Sequence, residues 1–283
     1  MKKILLLLFI INQVLFSIEI SSQKIKNANT IFLKIVKENI KEPKLTFDKH
    51  NINFFKIPNK KDNYYALVPI SYYKELKKYK IIISYIENGK KIFKGIPIEV
   101  IDGNYKSETL SVDSSKITLS EANKIRTKKE YKEAMTIYKT TSAKLLIDSK
   151  FIYPLNSKIT SDFGKKRVFN NKLKSYHGGT DFRAPIGTKI KASNSGRVVI
   201  AKNRFYAGNS LVIDHGQGIY TGYYHLSKIY LNKGDFVKKG EIIGLAGNTG
   251  RVTGPHLHFS FRVHGILVDP LQAIELLNNN LNY

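Results

Sequence analysis

Between residues 256 and 263 the chain alternates with a period of two: Leu257, Phe259, Phe261 and Val263 are apolar, and His256 and His258 occupy the positions between them. That period belongs to a β-strand, whose successive side chains leave by opposite faces, and not to a helix. One face of this segment is therefore a core face, and two imidazoles share the other. A lone His-x-His is either part of a metal site or two ordinary polar residues, so its meaning depends on what the rest of the chain supplies.

No helical period is evident from residue 151 to about 270. Candidate strands fall at residues 189–192, 197–202, 210–214, 219–224, 241–245 and 257–263. Asn194-Ser195-Gly196, Gly216-Gln217-Gly218, Lys233-Gly234-Asp235 and Lys238-Lys239-Gly240 supply turns between them. This is the pattern of a compact antiparallel β domain, taken as residues 151–275, closed by a short helix over 271–277. Residues 23–105 also read as short strands, at 30–36, 52–55, 64–68 and 81–86, the last running into Asn88-Gly89. Asn-Gly between two apolar runs signals a hairpin because both residues accept positive φ. A small β-sandwich follows for that half. Residues 106–150 differ: Tyr131, Ala134, Met135 and Tyr138 fall at helical spacing behind a capping Ser120. They read as a helical linker whose apolar stripe packs on a neighbouring domain. The expected fold class is mainly β, in two domains joined by that linker.

Met1-Lys2-Lys3 followed by an apolar run to Phe16 has the form of a secretory signal and is too short for a comfortable membrane span. Residues 1–22 are therefore read as a signal peptide, with an uncleaved anchor as the alternative, and the protein as exported to the periplasm or cell envelope. The chain has no cysteine, which excludes disulfides, thiolate metal sites and a cysteine nucleophile. Its net charge of +25 calls for an anionic partner or surface, either nucleic acid or cell-envelope polymer. The charge is spread over both halves, whereas a nucleic-acid module concentrates it on one element. Even spacing and an export signal together argue against nucleic acid.

Six of the seven histidines lie in the second half. In His177-Gly178-Gly179-Thr180-Asp181 the glycines disfavour a helix, and an extended chain turns positions four apart to one side. His177, Asp181 and one imidazole of the His-x-His pair make a His₂Asp set with a fourth position for water, the pattern of catalytic zinc. The other imidazole of the pair, about 6–7 Å along the strand, and His225 at a strand end then suit proton transfer beside the metal. His50 has no companion ligand and reads as a solvated or core histidine.

Ser161-Asp162-Phe163-Gly164, His177 to Asp181, Ala184-Pro185-x-Gly187, Val212-Ile213-Asp214-His215-Gly216, Tyr224-His225-Leu226-Ser227, Gly247-Asn248-Thr249-Gly250 and Thr253 to Phe259 occur in one order. In these the stretch from about 152 to 270 resembles the catalytic domain of the lysostaphin-type zinc endopeptidases, the M23 peptidoglycan hydrolases. The resemblance implies Zn²⁺ held by His177, Asp181 and His258, catalytic histidines His225 and His256, and peptidoglycan peptides as substrate. A non-catalytic relative would lack one or more of these residues, and none is missing. Asp214 and His215 match a motif read as structural, and His264 reads as a surface residue. Around Tyr65-Ala66-Leu67-Val68-Pro69-Ile70 the first half resembles the β-sandwich module that precedes this domain in some exported members.

Overall fold

A computed structural model describes residues 16–110, 118–169 and 173–281. The first half contains β1 (Ser17–Ile20), β2 (Lys24–Lys26), β3 (Thr30–Val36), β4 (Lys41–Phe47), β5 (His50–Asn53), β6 (Phe55–Lys56), β7 (Asn63–Pro69), β8 (Lys78–Glu87) and β9 (Lys90–Ile101). After β10 (Ser107–Leu110) and α1 (Glu121–Tyr138) come β11 (Ile159–Ser161), β12 (Lys166–Phe169), β13 (Leu173–Tyr176), β14 (Thr180–Arg183), β15 (Lys189–Lys191), β16 (Gly196–Arg204) and β17 (Gly208–Asp214). β18 (Ile219–Leu226), β19 (Lys228–Ile229), β20 (Phe236–Val237), β21 (Ile242–Leu245), β22 (His256–Val263), β23 (Ile266–Val268) and α2 (Pro270–Asn280) complete the order. The protein is mainly β. Most of the segment read as a signal lies outside the described residues; of its last part, β1 pairs antiparallel with β3.

Two sheets face each other in the first half, ordered β1-β3-β7-β6 and β2-β9-β8-β4-β5. Strand parity explains how they are buried. Ile31, Leu33 and Ile35 of β3 and Ala66 and Val68 of β7 enter a core shared with Leu45, Ile81, Ile83 and Val100 of the facing sheet. The alternate residues, Phe32, Tyr65 and Leu67, point the other way into a second core that contains Phe182, Leu257, Phe259 and Phe261. The β3–β7 sheet is thus the middle layer of the molecule. The Asn-Gly hairpin forms as expected between β8 and β9, with φ of 48° at Asn88 and 75° at Gly89. The run expected as one strand at 52–55 breaks at Phe54, because β5 belongs to one sheet and β6 to the other. β4 gives little sequence signal, since its residues are mostly charged or polar and Glu42 has a φ of 50°.

The second half is built on one antiparallel sheet, β11-β14-β22-β18-β17-β16-β20, with β23 hairpinned onto β22. β22 sits in its middle, between β14 and β18. Leu257, Phe259, Phe261 and Val263 are fully buried on one face, as the alternation requires. Two small sheets flank it: β15-β21-β19, and β10-β12-β13, in which β10 runs parallel to β12. α2 begins with Asp269 accepting from the Leu271 and Gln272 amides. Gln272 then clamps the Thr30 backbone, accepting from its N–H and donating to its carbonyl, both at 2.9 Å. α1 starts at the expected cap, where the Ser120 hydroxyl accepts from the Asn123 amide. Its buried apolar contacts come from its C-terminal turns: Ala134 and Tyr138 join Ile200, Val212, Tyr220 and Tyr224. Tyr131 departs from the expected stripe and is 65% exposed, because the N-terminal turns meet β16 and the loop after it through polar side chains, Arg126 to Asn203 and Glu130 to the Phe205 amide.

Candidate active site

β14 and β22 pair antiparallel with Asp181 directly opposite His258, and β22 pairs on its other side with β18, where Tyr224 lies opposite His258. The register alone therefore brings one carboxylate and two strand imidazoles to one face of the sheet. His177 reaches the same point from the end of β13 through Gly178-Gly179. The second of these has to be glycine, since a Cβ there would lie 2.4 Å from the Phe259 carbonyl oxygen and 2.6 Å from His258 Nε2.

His177 Nε2, Asp181 Oδ1 and His258 Nδ1 form a small triangle: 2.8 Å between the first two, 2.8 Å between the last two and 2.9 Å between the nitrogens. Second contacts decide which atoms carry protons. His177 Nδ1 donates to the Asp162 carbonyl at 2.7 Å, which leaves Nε2 as a lone pair facing the triangle. His258 Nδ1 can donate to only one neighbour. Converging lone pairs repel unless a cation lies among them, and among the described residues this is the one group of three or more such ligands close enough to hold a metal. Tetrahedral bonds of about 2.0 Å separate ligand atoms by roughly 3.3 Å, so a few tenths of an ångström of opening would admit an ion. The donor set fits a metal.

The environment favours a neutral His258 imidazole and an ionised Asp181 carboxylate. Burial pushes Asp181 upward, but the His177 and His258 imidazoles at Oδ1 outweigh it and hold the group well below the ordinary carboxylate range. Burial lowers His258 to about 4, against the opposing pull of Asp181. Arg167 of β12 donates from Nη2 to Asp181 Oδ2 at 3.2 Å and to Ser161 Oγ at 3.2 Å, so the outer carboxylate oxygen is held as well. Its Nε donates to Glu108 Oε1 of β10 at 2.6 Å. Burial raises Glu108, and the Arg167 and Lys165 charges more than offset that and lower it. Neither Arg167 nor Glu108 was visible as a site residue in the sequence, because they meet through the parallel pairing of segments nearly sixty residues apart.

His225 and His256 stand beside the triangle with ring centroids 4.9 Å apart. Each has its Nδ1–H tied to a backbone carbonyl, His225 to Thr249 at 2.8 Å and His256 to Gly254 at 2.8 Å. Both Nε2 lone pairs are thereby left for other partners, and His256 Nε2 lies 3.7 Å from Asp181 Oδ1. Burial, with smaller contributions from His258 and His256, lowers His225 to about 3. Its φ is 62°, rare for a residue with a side chain. It sits at the end of β18 where the ladder to β17 shifts register, and its amide donates instead to Ala207. The turn carrying Thr249 is what aims this ring.

These groups line a cleft of about 570 Å³. The sequence profile of Peptidase family M23 matches residues 175–270, the segment that supplies His177, Asp181, His225, His256 and His258. Residues 175–270 are a peptidase family M23 domain. Over 124 residues the chain is 49% identical to the peptidoglycan DD-endopeptidase ShyA of Vibrio cholerae, an alignment covering 43% of this chain and 29% of that protein. It is 38% identical over 117 residues to the DD-carboxypeptidase/endopeptidase Mpg of Neisseria meningitidis, covering 41% and 27% respectively. The chain thus spans less than a third of the length of these relatives. A crystal structure assigned to peptidase M23 from Pseudomonas aeruginosa superposes over 83% of this chain and 89% of that one, with a TM-score of 0.63 and 23% identity. That likeness extends the shared fold beyond the M23 domain into the first half.

The remaining histidines lie elsewhere. His215 is fully buried behind the sheet, bonded at both ring nitrogens, to the Ser195 carbonyl and the Thr221 hydroxyl, each at 2.8 Å. His50 is exposed. His264 departs from its surface reading: it is a half-buried residue of the β22–β23 turn with a φ of 48°, and burial lowers its imidazole to about 4.

Proposed function

We propose that the protein is an exported zinc metallopeptidase that hydrolyses peptide bonds in the stems or cross-links of peptidoglycan. The observation that carries this reading is the convergence of His177 Nε2, Asp181 Oδ1 and His258 Nδ1 on one point, with the Nε2 atoms of His225 and His256 beside it. The M23 relatives named as peptidoglycan endopeptidases support the substrate. His177, Asp181 and His258 are assigned as the zinc ligands. When bound, zinc supplies a Lewis acid for the scissile carbonyl and lowers the pKa of water at the site to about 7.

The chain's own groups do the rest. Arg167 fixes the outer oxygen of Asp181, so the carboxylate presents a single oxygen to the triangle. His225 and His256 are held as the tautomer with Nε2 unprotonated, the state that accepts a proton from attacking water and returns it to the leaving amine. Neutrality of His225 follows from its burial. We further assign residues 151–275 as the catalytic unit, residues 106–150 as a linker, residues 23–105 as a sandwich domain whose sheet β1 extends, and the part of residues 1–22 that precedes β1 as the export segment. The charge of +25 favours residence on anionic envelope polymers, an attraction that salt screens.

Digestion of peptidoglycan of known stem chemistry, with released fragments identified by mass, tests the reading. Cleavage at a peptide bond that stops with a chelator and returns with zinc is expected. Fragments cut at a sugar linkage, or none from a zinc-loaded folded protein, would overturn it.

A further inference from the structure

Arg167 already holds a carboxylate in the cleft that is not a metal ligand. β10 and β12 pair in register with Glu108 opposite Arg167, and the Glu108 carboxylate projects into the same cleft as His256 and His258. It accepts from Arg167 Nε at 2.6 Å and, more distantly, from Ser161 Oγ at 3.5 Å, and its other oxygen lies 3.5 Å from Lys165 Nζ. Arg167 does not depend on Glu108 for its place, because Nη2 is anchored on Asp181 and Ser161. The Arg167 side chain is 16% exposed and that of Glu108 is 22% exposed, so a turn of the Glu108 side chain alone would open the guanidinium edge to the cleft. A pre-positioned, partly desolvated guanidinium is the strongest carboxylate receptor that side chains offer.

The charge of the cleft points the same way. Arg167, Arg204, Arg251 and Arg262 line it, and among the described residues Asp181 and Glu108 are its acidic groups. With Asp181 assigned to the metal, Glu108 is the acidic group among the described lining residues that faces the Arg167 guanidinium. Resting on the peptidase reading of the cleft, we propose that Arg167, with Lys165, is a carboxylate-recognition subsite that selects peptides carrying a free carboxylate within a residue or two of the scissile bond. Glu108 occupies the subsite as a tethered carboxylate that the substrate's own displaces. The substrate carboxylate is either a C-terminal α-carboxylate or the free carboxylate of a diamino acid.

The test uses the zinc-loaded full chain and a fluorophore-labelled stem-type peptide in four forms: both carboxylates free, either one amidated, and both amidated. Anisotropy gives the affinity of each form, and mass spectrometry reports cleavage. The form with the recognised carboxylate is expected to bind about tenfold more tightly than its amide, and the singly amidated arms identify which carboxylate it is. Arg167→Gln, assayed at zinc concentrations that keep the site loaded because Asp181 loses a hydrogen-bond donor, is expected to bring that ratio to about one. Glu108→Gln is expected to tighten binding of the carboxylate form and leave the doubly amidated form alone. Equal affinity of all four forms for the parent overturns the proposal. So does an Arg167→Gln protein that weakens all forms alike, which is what a purely structural arginine would give. Should Arg167→Gln not fold, Lys165→Gln and Glu108→Gln decide: an unchanged ratio in both overturns the subsite. Carboxylate-dependent binding without cleavage would sink the peptidase reading and keep the subsite, whereas cleavage without carboxylate dependence would do the reverse.

Discussion

At the residue scale, the five site residues divide by the atom each presents. His177 shows Nε2 and His258 shows Nδ1 to the same carboxylate oxygen, so removing either opens the triangle. His177→Ala is expected to abolish both zinc binding and turnover. His256→Ala is expected to retain about one zinc while turnover falls by roughly 10²–10⁴-fold. Metal analysis beside a turnover assay separates the two, and a metal-free His177→Ala protein with full activity would sink the mechanism. His215 gives a prediction away from the site. Its folded pKa of about 4 lies below the unfolded value of 6.5, so between those values the unfolded chain binds more protons and stability falls as pH falls. The loss from this residue begins near pH 6.5, levels off near pH 4 and reaches about 3 kcal/mol. Denaturant titrations at a series of pH values should show a shallower acid slope for His215→Asn than for the parent, whatever the absolute offset.

At the element scale, β22 does the organising, with the apolar face in the core and the imidazole face in the cleft. That much was legible, because alternation with a period of two fixes which side chains share a face. The spacing of His177 and Asp181 and the order of the glycine turns were legible for the same reason. What was not legible is which segments become neighbours. Nothing local in Ser107–Leu110 announces that it pairs with β12, so Arg167 and Glu108 stayed silent. Nor did the Gly178-Gly179 pair, read as a helix breaker, reveal its tighter role of letting the chain pass over His258. Gly179→Ala is therefore expected to fold but to displace that ring and weaken zinc at least about tenfold, measured by competition with a chromogenic chelator. Wild-type zinc affinity in this variant would show that the loop moves instead.

At the scale of the whole molecule, the two halves share an apolar core through Phe32, Tyr65 and Leu67, and Gln272 stitches α2 to β3. Leu67→Ala leaves a cavity at this junction and should cost about 2–5 kcal/mol. Because the core is shared, probes in either half are expected to unfold together in the variant as in the parent, with a single shifted midpoint. Two separate transitions would show that the halves fold independently. Residues 30–36 read as one strand of a small sandwich; β3 is apolar at both parities, which fits the second cover that the structure adds.

That double cover has a consequence for how the molecule breathes. Opening the β3 and β7 backbone to solvent requires both cores to part at once, so the amides of Ile31 to Ile35 and of Tyr65 to Val68 should exchange with deuterium only through global unfolding. The slowest clock in the protein would then tick in a layer that lines no part of the cleft.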